Sequence, residues 1–156
     1  MRKMVVLTIL ITLSLTGLSY GFDREVAKRF DSMFSQMTPE MIAKRPCEVN
    51  AKQLFGMIKA KEDFLILDIR TPQEMEIVGI AYKDSIEIPM HELFKEENLK
   101  KLPTDKKIIV ICHTGPRSVA AATALRAIGF TNAFMFRGGI VELATEAGRR
   151  VVGILW

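Results

Sequence analysis

An α/β sandwich around a mostly parallel sheet is the fold this sequence predicts, and three observations carry it. Short apolar runs alternate with amphipathic stretches along most of the chain. Two of those runs, Phe64-Leu65-Ile66-Leu67 and Ile108-Ile109-Val110-Ile111, are continuously hydrophobic, as strands covered on both faces are. Helix-start and helix-stop residues fall between the runs, which is the pattern of strands joined by helical crossovers.

The elements follow in order. Residues 22–43 read as helical, with Val26, Phe30, Met33, Phe34 and Met37 at three- and four-residue spacing and Pro39 opening a second short turn. This stripe is expected to pack an N-terminal extension onto the domain; docking of a partner or dimerisation is the other use such a face has. Cys47 enters a short first strand, and residues 51–58 form a helix through Leu54, Phe55 and Ile58. Residues 64–67 are a buried strand ending at Asp68. Thr71-Pro72-Gln73-Glu74 then starts a helix, with Thr71 as the capping residue, Pro72 at the first position and Glu74 closing a capping box. Residues 85–89 form a brief strand, and the highly charged residues 90–102 are expected to be helical with a solvated face. Residues 107–111 are the clearest central strand. An Ala-rich helix over 118–128 ends at Gly129. Residues 133–136 are the last strand, followed by Gly138-Gly139 and a final helix with an apolar end at 151–156.

A chain of 156 residues holds one domain with some sequence to spare. Its 49% hydrophobic and 26% charged residues are enough to bury a core, which excludes a disordered or collagen-like chain. No run of Lys and Arg interleaved with aromatics occurs, so nucleic acid is not an expected partner. Residues 1–21 read as a leader that directs the protein to the periplasm or otherwise out of the cytoplasm. Arg2 and Lys3 precede an apolar stretch over 4–18, and Ser19 and Gly21 place small residues at −3 and −1 of a cleavage site after Gly21. Fifteen residues containing three Thr and a Ser fall short of a membrane span. Cleavage leaves 20 basic against 18 acidic residues, so the remaining chain (an extension over 22–44 and a domain over 45–156) is nearly balanced in charge.

Two cysteines remain after the leader, Cys47 and Cys112, and their settings differ. Cys47 is expected to be a small buried hydrophobe. Cys112 follows the most hydrophobic strand, at the carboxyl edge where ligands bind in parallel sheets. The two are expected to stay unlinked. The loop after Cys112 supplies Gly115 for backbone freedom, Pro116 for a fixed φ, Arg117 for positive charge and Ser118 as a helix cap. Successive N–H groups above a helix N-terminus make an anion-binding nest, and that field, with the guanidinium, is expected to lower the thiol pKa. His113 is adjacent to the nucleophile and is expected to point away from it. No metal site is expected from two His and two Cys without ligand spacing.

Four segments together carry a family resemblance. The stretch from Leu65 to Glu74 resembles the "LDVRxPxE" segment of the rhodanese family, and Ser85-Ile86-Glu87-Ile88-Pro89 resembles its "AINIP" strand. Cys112 to Ser118 is similar to its "CxxGxRS" loop, and Phe136-Arg137-Gly138-Gly139 to its double-Gly turn. The resemblance runs from about residue 47 to 148. It implies a rhodanese-like three-layer α/β sandwich and sulfurtransferase chemistry without a cofactor, through a transient Cys112 persulfide. Sulfane sulfur would come from thiosulfate or polysulfide and pass to a thiol or cyanide acceptor. Arg117 would bind the anionic donor, and His113, Thr114, Gly115, Pro116 and Ser118 would form the cradle around the sulfur. Asp68 and Arg70 would support the loop from the neighbouring strand. The chain departs from the family in two places: residues 78–84 lack the usual Gly-His-Ile, and Leu143 stands where a Trp is common.

Two other readings compete. Cysteine-dependent phosphatases have five residues between Cys and Arg, whereas only His113, Thr114, Gly115 and Pro116 intervene here, a loop suited to one sulfur atom more than to a tetrahedral phosphate. A non-enzymatic carrier or binding module for polysulfide would need the same cysteine and the same nest.

Overall fold

A computed structural model describes residues 21–154 of the chain, with side chains through residue 148. The leader pattern, apart from Gly21, and the apolar end of the last helix lie outside the residues so described.

Five strands form one sheet: β1 (Glu48–Val49), β2 (Phe64–Asp68), β3 (Ser85–Glu87), β4 (Lys107–Ile111) and β5 (Ala133–Phe136). Their order across the sheet is β1-β5-β4-β2-β3, and every neighbouring pair is parallel. The expected mostly parallel sheet is therefore parallel throughout. β2 and β4 occupy the middle, with Phe64 opposite Lys107 and Asp68 opposite Ile111.

The period-2 alternation of these strands splits the core in two. Leu65 and Leu67 of β2 and Ile108 and Val110 of β4 face one side, where they pack with Leu93, Leu102, Ala121, Ala122 and Leu125. Phe64 and Ile66, with Ile109 and Ile111, face the other side and pack with Leu54, Met57 and Phe136. Helix α6 (Pro116–Ala127) covers the first face; α3 (Ala51–Lys59) and α7 (Gly139–Ile154) cover the second. That is a three-layer α/β/α sandwich. The departing turn before β3 contributes Tyr82, whose ring stacks on Phe64 at 5.0 Å between centroids. Ser85 donates to the carbonyls of Ile80 and Tyr82 and holds the turn against the sheet.

Helix starts are set by local chemistry. Asn50 caps α3 in a reciprocal box with Gln53, a local signal confined to four residues of the sequence. Thr71 and Glu74 form the expected box at the start of α4 (Pro72–Ile77). Residues 90–102 are not one helix. Only α5 (Glu96–Leu99) is helical there, and the approach to it is built of three-back bonds such as Leu93 N–H to Met90 O. The residues this segment turns toward the sheet, Leu93, Leu99 and Leu102, are spaced six and then three apart, which no single helical stripe serves. The N-terminal stripe forms α1 (Arg24–Phe34) and α2 (Pro39–Ala43); α1 lies on α6, with Val26 and Phe34 largely exposed.

One buried ion pair fixes the end of β2. Arg70 is 1% exposed, and its Nε and Nη2 donate to the carboxylate of Asp68 at 2.6–3.0 Å. Its remaining donors reach the carbonyl of Glu74 in the first turn of α4 and that of Val78 at its C-terminal cap. Truncating one partner of such a pair strands the other charge in the core. Arg70→Ala is expected to lower stability by about 3–5 kcal/mol, read as a lower urea midpoint, because Asp68 is left buried and unpaired.

Candidate active site

β4 delivers Cys112 to the carboxyl edge of the sheet, where the residue is only 1% exposed. The chain then turns through Gly115, at φ 120°, a region that L side chains rarely adopt. This conformation turns the Gly115 N–H back onto Cys112 Sγ at 3.1 Å. α6 begins at Pro116 with Gly115 as its cap, so Ser118 is not the capping residue expected from the sequence. It sits inside the first turn instead. Its hydroxyl is buried without a hydrogen-bond partner, close enough to Cys112 to favour the thiolate.

Burial pushes the Cys112 thiol pKa up. The Ser118 hydroxyl, with the N–H groups of Ser118, Gly115 and Thr114, outweighs burial, and the net shift is downward. The loop donors, more than the guanidinium, therefore favour the thiolate. Pro116 is exposed and has no N–H to give; its contribution is a fixed φ at the first helical position. His113 and Thr114 turn their side chains to the surface. Cys47 and Cys112 are both free thiols, Cys47 being half-buried.

The carbonyls of the loop are held from the opposite side. Ile140 N–H donates to Cys112 O at 2.8 Å and Val141 N–H to His113 O at 3.4 Å, so the first N–H groups of α7 take up both. This requires close backbone approach at Gly139. A Cβ there would lie 2.3 Å from His113 O and 2.5 Å from Cys112 O.

Arg117 is not a free cation. Its Nη1 and Nη2 donate to the two oxygens of Glu74 at 2.8 and 2.6 Å, fork to carboxylate. The Arg117 hydrogen bonds, then the Thr71 N–H, lower the Glu74 pKa to about 2. The carboxylate is thus charged, and the pair intact, at ordinary pH; the stability it adds fades only as pH falls toward about 2. His113 Nδ1 lies 3.6 Å from the same carboxylate. Glu74 had been read only as a capping residue, and nothing in sequence spacing joins it to a residue 43 positions away.

Asp68 and Arg70 bond to each other and to α4, and no hydrogen bond described here links them to the Cys112 loop. Their effect on the site runs through α4, which carries Glu74. The one backbone link nearby is Ile69 N–H to Ile111 O at 3.0 Å, directly before Cys112. A surface cleft of about 350 Å³ lined by Pro72, Met75, Glu76, Glu87 and Pro89 contains none of the loop residues.

Fold and site together define a protein that presents one buried thiol, with a backbone N–H aimed at it, in a loop at the edge of a parallel sheet. The sequence profile of the Rhodanese-like domain matches residues 50–146, and the chain belongs to that family. It is similar to a sulfurtransferase of Allochromatium vinosum, 31% identical over 97 residues, which are 62% of this chain and 87% of that protein. It is also similar to the mitochondrial thiosulfate sulfurtransferase RDL2 of Saccharomyces cerevisiae, 26% identical over 65% of this chain and 67% of that protein. Among solved structures, a rhodanese-related protein of Thermoplasma volcanium is 39% identical, with a TM-score of 0.54 over 64% of this chain and 91% of that one.

The Gly139 contact makes a direct prediction. Gly139→Ala places a methyl group against two carbonyls and a side chain at φ 59°, so it is expected to destabilise the fold by more than ~1–2 kcal/mol. In the molecules that fold, the loop is pushed off α7, and Cys112 alkylation by iodoacetamide near neutral pH slows.

Proposed function

We propose that the chain is a sulfurtransferase that carries sulfane sulfur as a persulfide on Cys112, taking it from thiosulfate or polysulfide and passing it to a thiol or cyanide acceptor. The observation that carries this reading is the Gly115 N–H, aimed at the buried Cys112 sulfur at 3.1 Å from a loop at the carboxyl edge of the sheet. A cradle of this kind stabilises a thiolate before the transfer and a terminal persulfide anion after it. The sulfurtransferase names of the relatives support the same chemistry.

The steps balance without a cofactor. The Cys112 thiolate attacks the outer sulfur of the donor, a new S–S bond forms, and the donor's own S–S bond breaks with its electron pair leaving on sulfite or on a shortened polysulfide. An acceptor thiolate or cyanide then attacks the terminal sulfur and restores the Cys112 thiolate. Arg2, Lys3, the apolar stretch over 4–18 and the small residues Ser19 and Gly21 support an exported protein.

Mass spectrometry of the intact protein after exposure to thiosulfate or polysulfide tests the proposal. The expected result is one added sulfur on Cys112, removed by cyanide and lost in Cys112→Ser. No adduct from either donor contradicts it.

A further inference from the structure

The pairing of Arg117 with Glu74 changes what kind of anion the loop can admit. Both guanidinium arms are occupied, at 2.8 and 2.6 Å. The carboxylate that occupies them is anchored independently of the Cys112 loop, because Glu74 Oε2 also accepts the Thr71 N–H at 2.9 Å in the capping box of α4. α4 is in turn held by the buried Arg70, through the carbonyl of Glu74 in its first turn and that of Val78 at its C-terminal cap. Glu74 is therefore a fixed negative charge, not a mobile surface group that an incoming ligand brushes aside.

Charge at the loop then decides between donors. Arg117 and Glu74 cancel, and the Cys112 thiolate remains. A dianion such as thiosulfate brings two negative charges and must either lie beside the Glu74 carboxylate or strip it from Arg117. A persulfide with an uncharged organic part presents its outer sulfur with one negative charge or, protonated, with none, and a polysulfide dianion carries its two charges at opposite ends, so that only one enters the loop.

The geometry points to Glu74 as a specificity-determining positioning residue: by holding Arg117, it steers Cys112 toward persulfide and polysulfide donors and away from thiosulfate. This rests on the sulfurtransferase reading above. With a protonated persulfide RSSH, the Cys112 thiolate bonds to the outer sulfur, the S–S bond between the two persulfide sulfurs breaks, and its electron pair leaves on RS⁻. That thiolate takes the proton the persulfide carried, leaving RSH and a Cys112 persulfide anion facing the Gly115 N–H. No outside oxidant or reductant enters.

The test follows sulfur gain on Cys112 by rapid quench and mass spectrometry, with thiosulfate and with the persulfide of 2-mercaptoethanol, whose organic part is uncharged, on the full chain. Glu74→Gln removes the charge while keeping an oxygen for the Thr71 N–H. The expected result is that the ratio of second-order rate constants, thiosulfate over persulfide, rises about tenfold in Glu74→Gln, as relief of a charge clash beside the donor would give. The rise should appear in the half-saturating thiosulfate concentration more than in the limiting rate. Adding Arg117→Gln to Glu74→Gln should remove the gain. Because both donors are measured on one preparation, the ratio does not depend on how much of a variant folds. A rise below about threefold, or a gain that survives loss of Arg117, overturns the role of Glu74. No sulfur on wild-type Cys112 from either donor defeats the sulfurtransferase reading itself.

Discussion

The carbonyls of Cys112 and His113 face into the N–H groups of Ile140 and Val141, which turns the amides of the same two peptide units, those of His113 and Thr114, the other way, and the Thr114 N–H is one of the donors that favour the thiolate. A peptide unit has one donor and one acceptor on opposite sides, so fixing the carbonyls fixes the amides. The start of α7 performs this task, and Gly139 lets the two backbones approach closely enough for it. Thus the last helix of the domain sets the electrostatics of a loop at the end of β4. A site made of backbone dipoles is preorganised in this sense: its donors are already aimed before charge develops on the sulfur.

A second line of dependence runs across the sheet. Asp68 and Arg70 make a buried pair at the end of β2, Arg70 holds the carbonyls of α4, and α4 carries Glu74 to Arg117. β2 and β4 are adjacent and in parallel register, with Asp68 opposite Ile111, and this brings the two strand ends to the same level. The result is a loop whose amides and serine serve the sulfur while its arginine is balanced by a carboxylate. The thiol is therefore activated by short-range donors that cannot be neutralised by a passing counter-ion. The one full positive charge in the loop is held in check.

Much of this was legible in the sequence, and the parts that were not share a cause. Strands β2 and β4 are continuous apolar runs, so their burial on both faces, and the placement of Cys112 at a strand end, could be read directly. Thr71-Pro72-Glu74 announced α4 through chemistry confined to four residues. The link from Glu74 to Arg117 could not be read, since it spans 43 positions and exists only once β2 and β4 are side by side. The roles of Ser118 and Gly139 were hidden similarly: a Ser three residues into a helix looks like a cap when the helix start is misplaced, and a Gly pair looks like a turn. The helix expected over 90–102 failed because charge masked the spacing of Leu93, Leu99 and Leu102.

The account stands on the claim that the loop's own donors outweigh burial and lower the Cys112 thiol pKa. Its most direct measurement is the pH dependence of Cys112 alkylation by iodoacetamide, made in a Cys47→Ser background so that one thiol is observed. Because the shift is downward, the thiolate fraction at neutral pH is raised, and the alkylation rate should reach its plateau at a lower pH than an ordinary thiol does. The account predicts a midpoint clearly below the free-cysteine value of about 8.5. A midpoint at or above that value would mean that burial wins, and would contradict it.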